Sequence, residues 1–312
     1  MQEIEPPGLG AGDALVRVRA TSVNTPDWIT VTGVPHILRL AFGLRRPRTP
    51  VRGTDVAGVV EAVGRNVTEL RPGDEVFGSS WTGTLSTRGT FAELTAVPAS
   101  SLIPKPQGLS FEEAAASVMS GLTALAAMRT LGKVTPGMRV LINGASGGVG
   151  TFAVQIARSL GAQVTGVCGT RNLDLVSSLG ADHVIDHTRE DFTRGSDRYD
   201  LILDNVLNHP PSATVRVLAS GGVFMPNSVG NTGGLFAGLP RMARAALIGL
   251  GFRNVQLVNW KVSRENLNSL ATLLQSGDAR VIISETYPLA DAAKAVAHML
   301  GHHAVGKLAI TI

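Results

Sequence analysis

The run Arg139-Val140-Leu141-Ile142-Asn143-Gly144-Ala145-Ser146-Gly147-Gly148-Val149-Gly150 decides the fold. Its apolar first part reads as a short strand, its glycine-rich middle as a turn, and the stretch from about Val149 to Leu160 as a helix. That order suits a dinucleotide pyrophosphate. Small residues let the backbone approach the phosphates, and free amides at a helix N-terminus face the anion. The pattern Ala145-x-Gly147-x-x-Gly150 has alanine for the first glycine, which a slightly wider turn accepts. Ser146, Gly148 and Val149 complete the candidate contacts of the turn. The competing reading is an ordinary tight strand-to-helix turn.

Downstream of Pro136-Gly137, apolar runs at 140–143, 163–168, 183–185, 201–204, 222–225 and 255–258 read as strands alternating with helical patterns. Such alternation indicates βαβ units and a parallel sheet. Leu267, Leu270, Leu273 and Leu274 share one face of a late helix that stops at Gly277. Upstream, Ser110 and Glu113 form a capping box before an alanine-rich helix reaching about Leu131. Residues 1 to about 108 read as short strands and turns, a β-rich, barrel-like unit: 14–20 alternates apolar and charged residues, 55–63 is an apolar run, and Arg71-Pro72-Gly73-Asp74 is turn chemistry. The final stretch, 306–312, reads as a strand that returns to this first unit and makes it discontinuous.

A chain of 312 residues has room for about two domains. With 44% hydrophobic and 17% charged residues it buries a sizeable core. The excess of 28 basic over 24 acidic residues is too small and scattered, and 4% aromatics too few, for a nucleic-acid surface. Cys168 is the single cysteine, so no intrachain disulfide or cysteine-based zinc cluster can form, and a reducing, cytoplasmic setting is expected. The polar, acidic start reads as no signal peptide, and no uncharged apolar run approaches the roughly 20 residues of a membrane span. Arginines among apolar residues at 38–48 and 235–252 read either as membrane-surface elements or as lobes flanking a substrate cleft with arginines in water.

The strand ending at Val167-Cys168 is followed by Gly169-Thr170-Arg171-Asn172. A site for NAD places an acid at this strand end to bind the ribose 2′-hydroxyl. Here a hydroxyl, a guanidinium and an amide stand instead, and a forked guanidinium can hold a 2′-phosphate that an acid would repel. NADPH is therefore the expected cofactor. Arg171 reads otherwise as a solvated helix-start residue.

With these residues in place, the chain resembles the medium-chain dehydrogenase/reductase superfamily, and within it the zinc-free quinone oxidoreductase branch. The resemblance runs over nearly the whole chain. It is carried by Thr21-Ser22-Val23-Asn24-Thr25-Pro26-Asp27-Trp28, Gly53-Thr54-Asp55-Val56-Ala57-Gly58-Val59-Val60, Pro72-Gly73-Asp74-Glu75-Val76, Gly121-Leu122-Thr123-Ala124, the glycine turn, and Leu179-Gly180-Ala181-Asp182-His183-Val184-Ile185-Asp186. It implies an α/β protein: a GroES-like β-barrel domain over 1–112 and 282–312, and a Rossmann domain with a doubly wound parallel sheet of six strands over 113–281. It also implies NADPH in the cleft between them and a homodimer. His187, where relatives often carry tyrosine, falls near the adenosine ribose, and Asn205, Ser228 and Lys307 join the cofactor contacts. The family pattern has a further strand pair before the first strand seen here, where this chain reads Met1-Gln2-Glu3-Ile4-Glu5, so either the start is mis-called or the barrel edge is trimmed.

Zinc-dependent members of the superfamily use an early cysteine and a Gly-His-Glu segment. Asn24 and Thr54 stand at those places, and without nitrogen and sulfur ligands a catalytic zinc has no holder. His36 reads as a lone loop histidine. The implied reaction is hydride transfer from nicotinamide to a quinone or an α,β-unsaturated ketone, acceptors electrophilic enough to need no Lewis acid. Asn24 is the candidate contact to nicotinamide or substrate oxygen, or else closes the turn before Pro26. Thr54 is a candidate hydroxyl donor, or else a packed strand residue. Asp27 and Asp55 are expected to orient loops, and the proton to come from water. Reduction of an aldehyde or an enoyl thioester, and a non-catalytic NADPH-binding role, are the alternatives. Tyr199 and Tyr287, the only tyrosines, lie outside the early cleft segments, against a thioester enzyme's proton donor.

Overall fold

The computed structural model describes residues 2–34, 36, 39, 51–81, 88–228, 239–251, 254–301 and 304–312. The first part carries β1 (Asp13–Ser22), α1 (Thr25–Thr32), β2 (Asp55–Val63), β3 (Glu75–Ser79), β4 (Leu94–Pro98) and β5 (Leu102–Pro104). Helix α2 (Phe111–Leu125), continued by a π-helical turn over Ala126–Leu131, leads into β6 (Arg139–Asn143), α3 (Gly148–Ser159), β7 (Gln163–Cys168), α4 (Leu173–Ser178) and β8 (His183–Asp186). Then come β9 (Tyr199–Asp204), α5 (Pro211–Thr214), β10 (Leu218–Pro226), α6 (Leu239–Gly251), β11 (Asn254–Val255), α7 (Arg264–Ser276), β12 (Ile283–Pro288), α8 (Ala292–Leu300) and β13 (Lys307–Thr311).

Two sheets result. The six-stranded sheet is parallel and runs β11-β10-β9-β6-β7-β8. Strand order reverses at β6, so the crevice at its carboxyl end is where an open α/β sheet binds ligands. Its strands are covered on both faces, which explains their unbroken apolar runs. Val140, Ile142, Leu201 and Leu203 pack into the cluster containing Leu267, Leu270, Leu273 and Leu274 of α7, while Leu141, Ile202 and Phe224 form a second cluster on the opposite face. The expected strand 255–258 is shorter, ending at Val255, with one more ladder bond from Gln256 N–H to the Phe224 carbonyl. Leu257 beyond it is 50% exposed, while Val258 packs on the core outside the strand.

The seven-stranded sheet runs β12-β13-β1-β2-β3-β5, with β4 also on β1. β1 pairs with β2 along one edge, and with β4 and then β13 along the other. Two register shifts against β2 bend it, as bulges do. The C-terminal strand thus joins the N-terminal sheet through Ala20↔Thr311, Thr21↔Ile310 and Ser22↔Ala309.

Ser110 caps α2 as its sequence indicates: Glu113 N–H donates to the Ser110 hydroxyl at 3.1 Å and Ser110 N–H to the Glu113 carboxylate at 2.9 Å. With the π turn this helix is 21 residues, apolar and long enough to cross a membrane by composition, yet 83% of its most apolar window is buried inside the protein. It is the core helix between the sheets, packed against β1, β2, β3, α3 and α7.

Candidate cofactor and acceptor site

The turn after β6 is built by backbone constraints. Gly144 takes φ 75°, open mainly to glycine, and the Gly144 and Ala145 amides both donate to the Val167 carbonyl of β7. A Cβ on Gly150 would sit 2.1 Å from the Gly144 carbonyl oxygen, so the turn and helix can pack this closely only with glycine there. Ala145 is fully buried and tolerated at the first position. A Cβ on Gly147 would meet nothing nearer than the Gly144 oxygen at 3.5 Å, leaving room above the turn. Gly147 is also the N-cap of α3, so no side chain caps the helix, and its first turn holds no acid. The first amides of α3, at Gly148, Val149 and Gly150, thus present positive partial charge to that room, which fits a pyrophosphate. The Ser146 hydroxyl is held by Asn172 Nδ2 at 3.1 Å.

At the end of β7 the three expected polar residues part ways. Thr170 donates its hydroxyl to Asp186 at the end of β8, at 2.7 Å, and Asn172 is engaged with Ser146. Arg171 is exposed and, among the described residues, forms no ion pair. Of the three, its side chain is the one not engaged in a hydrogen bond or ion pair among the described residues. The acid that sequence reading passed over is Asp186: hydrogen bonds from Thr170 and Thr188 hold its carboxyl down to about 2, and Arg189 lies 3.6 Å away. His187 is exposed, its ring reaching to 3.4 Å from the Cβ that Gly169 lacks.

Across the switch point, Asn205 follows β9 and donates from Nδ2 to the Asn143 carbonyl at 3.2 Å, while Asn227 Nδ2 donates to its Oδ1 at 2.8 Å. Ser228 lies two residues beyond β10 at the same carboxyl edge. Asp204 at the end of β9 is buried and fixes this edge, accepting from the Val206 and Leu207 amides and from Asn143 Nδ2. Leu207 is held at φ 59°, strained for a branched side chain.

Below the turn lies a buried polar network on the seven-stranded sheet, where β2, β13 and the segment joining β1 to α1 meet. Asn24, Asp27, Thr54, Asp55 and Lys307 are each at most 4% exposed. Asn24 Nδ2 donates to Asp55 Oδ2 at 2.8 Å and to the Thr54 hydroxyl oxygen at 3.1 Å, and Asn24 Oδ1 accepts from the Lys307 ammonium, which also donates to the Val23 carbonyl at 2.9 Å. Ser22 Oγ and the Met119 amide add donors to Asp55 Oδ2, while Asp55 Oδ1 has no partner among the described residues. The Asn24 amide N–H donates to Asp27 Oδ2 at 2.8 Å. Burial, and then the neighbouring Asp55 charge, push the Asp27 carboxyl up to about 8, so it keeps its proton at neutral pH. Burial also raises Asp55 and lowers Lys307, each opposed by the other's charge.

This arrangement revises two expectations. Both Nδ2 hydrogens of Asn24 and one lone pair of its Oδ1 are engaged within the network, so it orients Lys307, Thr54 and Asp55 and has no donor left for a substrate oxygen. Lys307 turns its ammonium away from the turn and toward β1 and α1; only its stem lies at the cofactor loop, with Cδ 2.9 Å from where a Gly148 Cβ would be. Asp27 does orient the segment before α1, through the Asn24 amide; that it also shares one buried set with Asp55 and Lys307 is invisible in sequence, because positions 27, 55 and 307 meet only in three dimensions. Thr54 accepts from Asn24 through its oxygen and retains a hydroxyl proton to donate. Among the described residues no three His, Cys, Asp or Glu side chains gather as a metal site. Of the arginine-bearing stretches, Arg39 donates to the Thr32 and Gly33 carbonyls and Arg241 to the Leu207 carbonyl; 40–50 and 229–238, with Arg45, Arg46 and Arg48, lie outside the described residues.

A parallel sheet with a glycine turn at its switch point, bridged through Gly306 to a mostly antiparallel sheet that the C-terminal strand joins, is the two-part design of dinucleotide-dependent oxidoreductases. Comparison with known proteins agrees. The model of the alcohol dehydrogenase GroES-like domain matches residues 10–107, and that of a zinc-binding dehydrogenase matches 179–310. A chloroplastic quinone oxidoreductase of Triphysaria versicolor is 32% identical over 329 residues, spanning 99% of this chain and 92% of that protein. A trans-enoyl reductase of Aspergillus terreus is 32% identical over 327 residues, spanning 97% and 87%. The solved quinone oxidoreductase of Coxiella burnetii superposes with a TM-score of 0.85 at 27% identity, covering 99% of this chain and 93% of that one. The chain belongs to the medium-chain dehydrogenase/reductase superfamily, in its quinone oxidoreductase-like branch.

Proposed function

We propose that this protein is a zinc-independent, NADPH-dependent reductase that delivers hydride to a quinone or an α,β-unsaturated ketone. The observation that carries the reading is the wall opposite the dinucleotide turn. Where zinc-dependent members have a thiolate and an imidazole, this chain has the Asn24 amide, engaged with an ammonium, and the Thr54 hydroxyl. A cation already fixed beside Asn24 opposes a second one there, and neutral oxygen donors suit zinc poorly.

The bound nicotinamide supplies the hydride. The chain's own residues do the rest. The first amides of α3 hold the pyrophosphate at the carboxyl edge of β6, and Arg171 favours a 2′-phosphate. The Thr54 hydroxyl is the donor for the oxyanion that develops as the acceptor carbonyl is reduced. A quinone or enone accepts hydride without prior polarisation by a metal, and solvent supplies the proton.

The relative from Aspergillus terreus favours a second reading, reduction of an enoyl thioester. Against it, Tyr199 is buried in the core of the parallel sheet, and the Tyr287 hydroxyl is bonded to His298 at 2.8 Å, so neither tyrosine serves the network around Asn24. Consumption of NADPH with a panel of quinones, enones, aldehydes and an enoyl thioester separates the readings. Highest kcat/KM on a quinone or enone is expected; a preference for the thioester by about tenfold or more would overturn the acceptor assignment.

A further inference from the structure

Lys307 is a cation with little water and two anchors. Gly306, just before it, forms a parallel bridge to Gly147, and its amide donates to the Ser146 carbonyl at 2.8 Å. The Lys307 stem passes over Gly148, where a Cβ would meet both Lys307 Cδ and Ser120 Oγ at 2.9 Å. Its ammonium then reaches the Val23 carbonyl and Asn24 Oδ1, on the segment joining β1 to α1. Asn24 in turn donates to Asp55 on β2. The amide dipole therefore lies between a buried cation and a buried anion, oxygen toward the first and nitrogen toward the second, in a low-dielectric setting where such contacts are strong.

We propose that Lys307 is a positioning residue for hydride transfer: with Asn24 as the dipolar bridge to Asp55, it fixes the dinucleotide turn in register with the barrel wall that faces the acceptor. The inference rests on the function proposed above. Asp27, which holds a proton at neutral pH, Arg52 beside it, Asp55 and Lys307 are the titratable groups of this buried set. Within it Lys307 and Asp55 sit on opposite ends of the Asn24 amide, and each favours the charged form of the other against the effect of burial. Truncating the Lys307 side chain takes the nearby ammonium from Asp55 and the stem from Gly148, and leaves the Gly306 backbone bridge as the turn's hold on β13.

The test uses calorimetric titration of the full chain with NADPH, together with steady-state kinetics. For Lys307→Met we expect the NADPH dissociation constant to rise about fivefold and kcat to fall about tenfold or more, with acceptor KM within about twofold. Lys307→Arg, which keeps the charge and most of the stem, should recover part of both losses. The double variant Lys307→Met/Asp55→Asn, which restores charge balance, should melt higher than Lys307→Met alone. Should Lys307→Met not fold, Asp55→Asn in isolation, nearly isosteric, should still weaken NADPH binding and lower kcat together. Unchanged cofactor affinity and kcat in the folded variants overturn the inference while leaving the proposed function standing. No NADPH binding by the wild type overturns both.

Discussion

Asn24 holds two opposite charges apart by the width of one amide, and no other side chain of its size could do so. Aspartate would face Asp55 with a like charge, and leucine would take one hydrogen bond each from the Lys307 ammonium, left with the Val23 carbonyl, and from Asp55, left with Ser22 Oγ and the Met119 amide, in a dry interior. The position was legible in sequence as a polar residue before Pro26. Its partners were not, because 54, 55 and 307 are brought together by strand pairing and carry no common periodicity. Asp27 yields a pH prediction. Its carboxyl titrates near 8 in the folded protein against its usual 3.8, so folding favours the protonated form. That contribution is full below about pH 4 and is lost as pH rises through about 8. Melting temperature should therefore decline over this window, and Asp27→Asn should flatten the decline; an identical slope in the variant would refute the assignment. At the other end of the cleft, Arg171 alone of its trio is unengaged. Arg171→Ala should raise KM for NADPH about tenfold and leave NADH within about twofold, as separate cofactor titrations would reveal.

At the scale of elements, α3 is defined by what its first turn lacks. A helix beginning with glycine and no acid leaves its amides and dipole uncompensated until an anion arrives. This was readable from the quoted run because strand, turn and helix are contiguous and each carries a local signal. The edge strand β11 was over-read because an apolar run marks burial and not strand pairing: Val258 packs on the core outside the strand. Gly150→Ala would drive a methyl into the Gly144 carbonyl, and backbone has little freedom to yield. A loss of about 1–3 kcal/mol in chemical denaturation is expected, together with weaker cofactor binding. Ser110→Ala removes the acceptor of the Glu113 amide at the start of α2, far from the glycine turn in sequence. It should cost about 1 kcal/mol without shifting cofactor affinity.

Across the whole molecule, one strand makes the two sheets a single device. β13 pairs with β1 on the antiparallel side, while Gly306 at its threshold pairs with the glycine turn on the other. The return of 306–312 was visible as a terminal apolar strand, but its grip on the turn was not, since a single bridge leaves no pattern. The central claim concerns the reaction over the turn: hydride from NADPH to an acceptor that no metal polarises. The direct measurement is kcat/KM for quinone reduction with NADPH and with NADH, each in the presence and absence of a strong chelator. NADPH should be preferred by about tenfold or more, with rates unchanged by chelation. A preference for NADH, or activity that disappears on chelation and returns with zinc, would contradict the account.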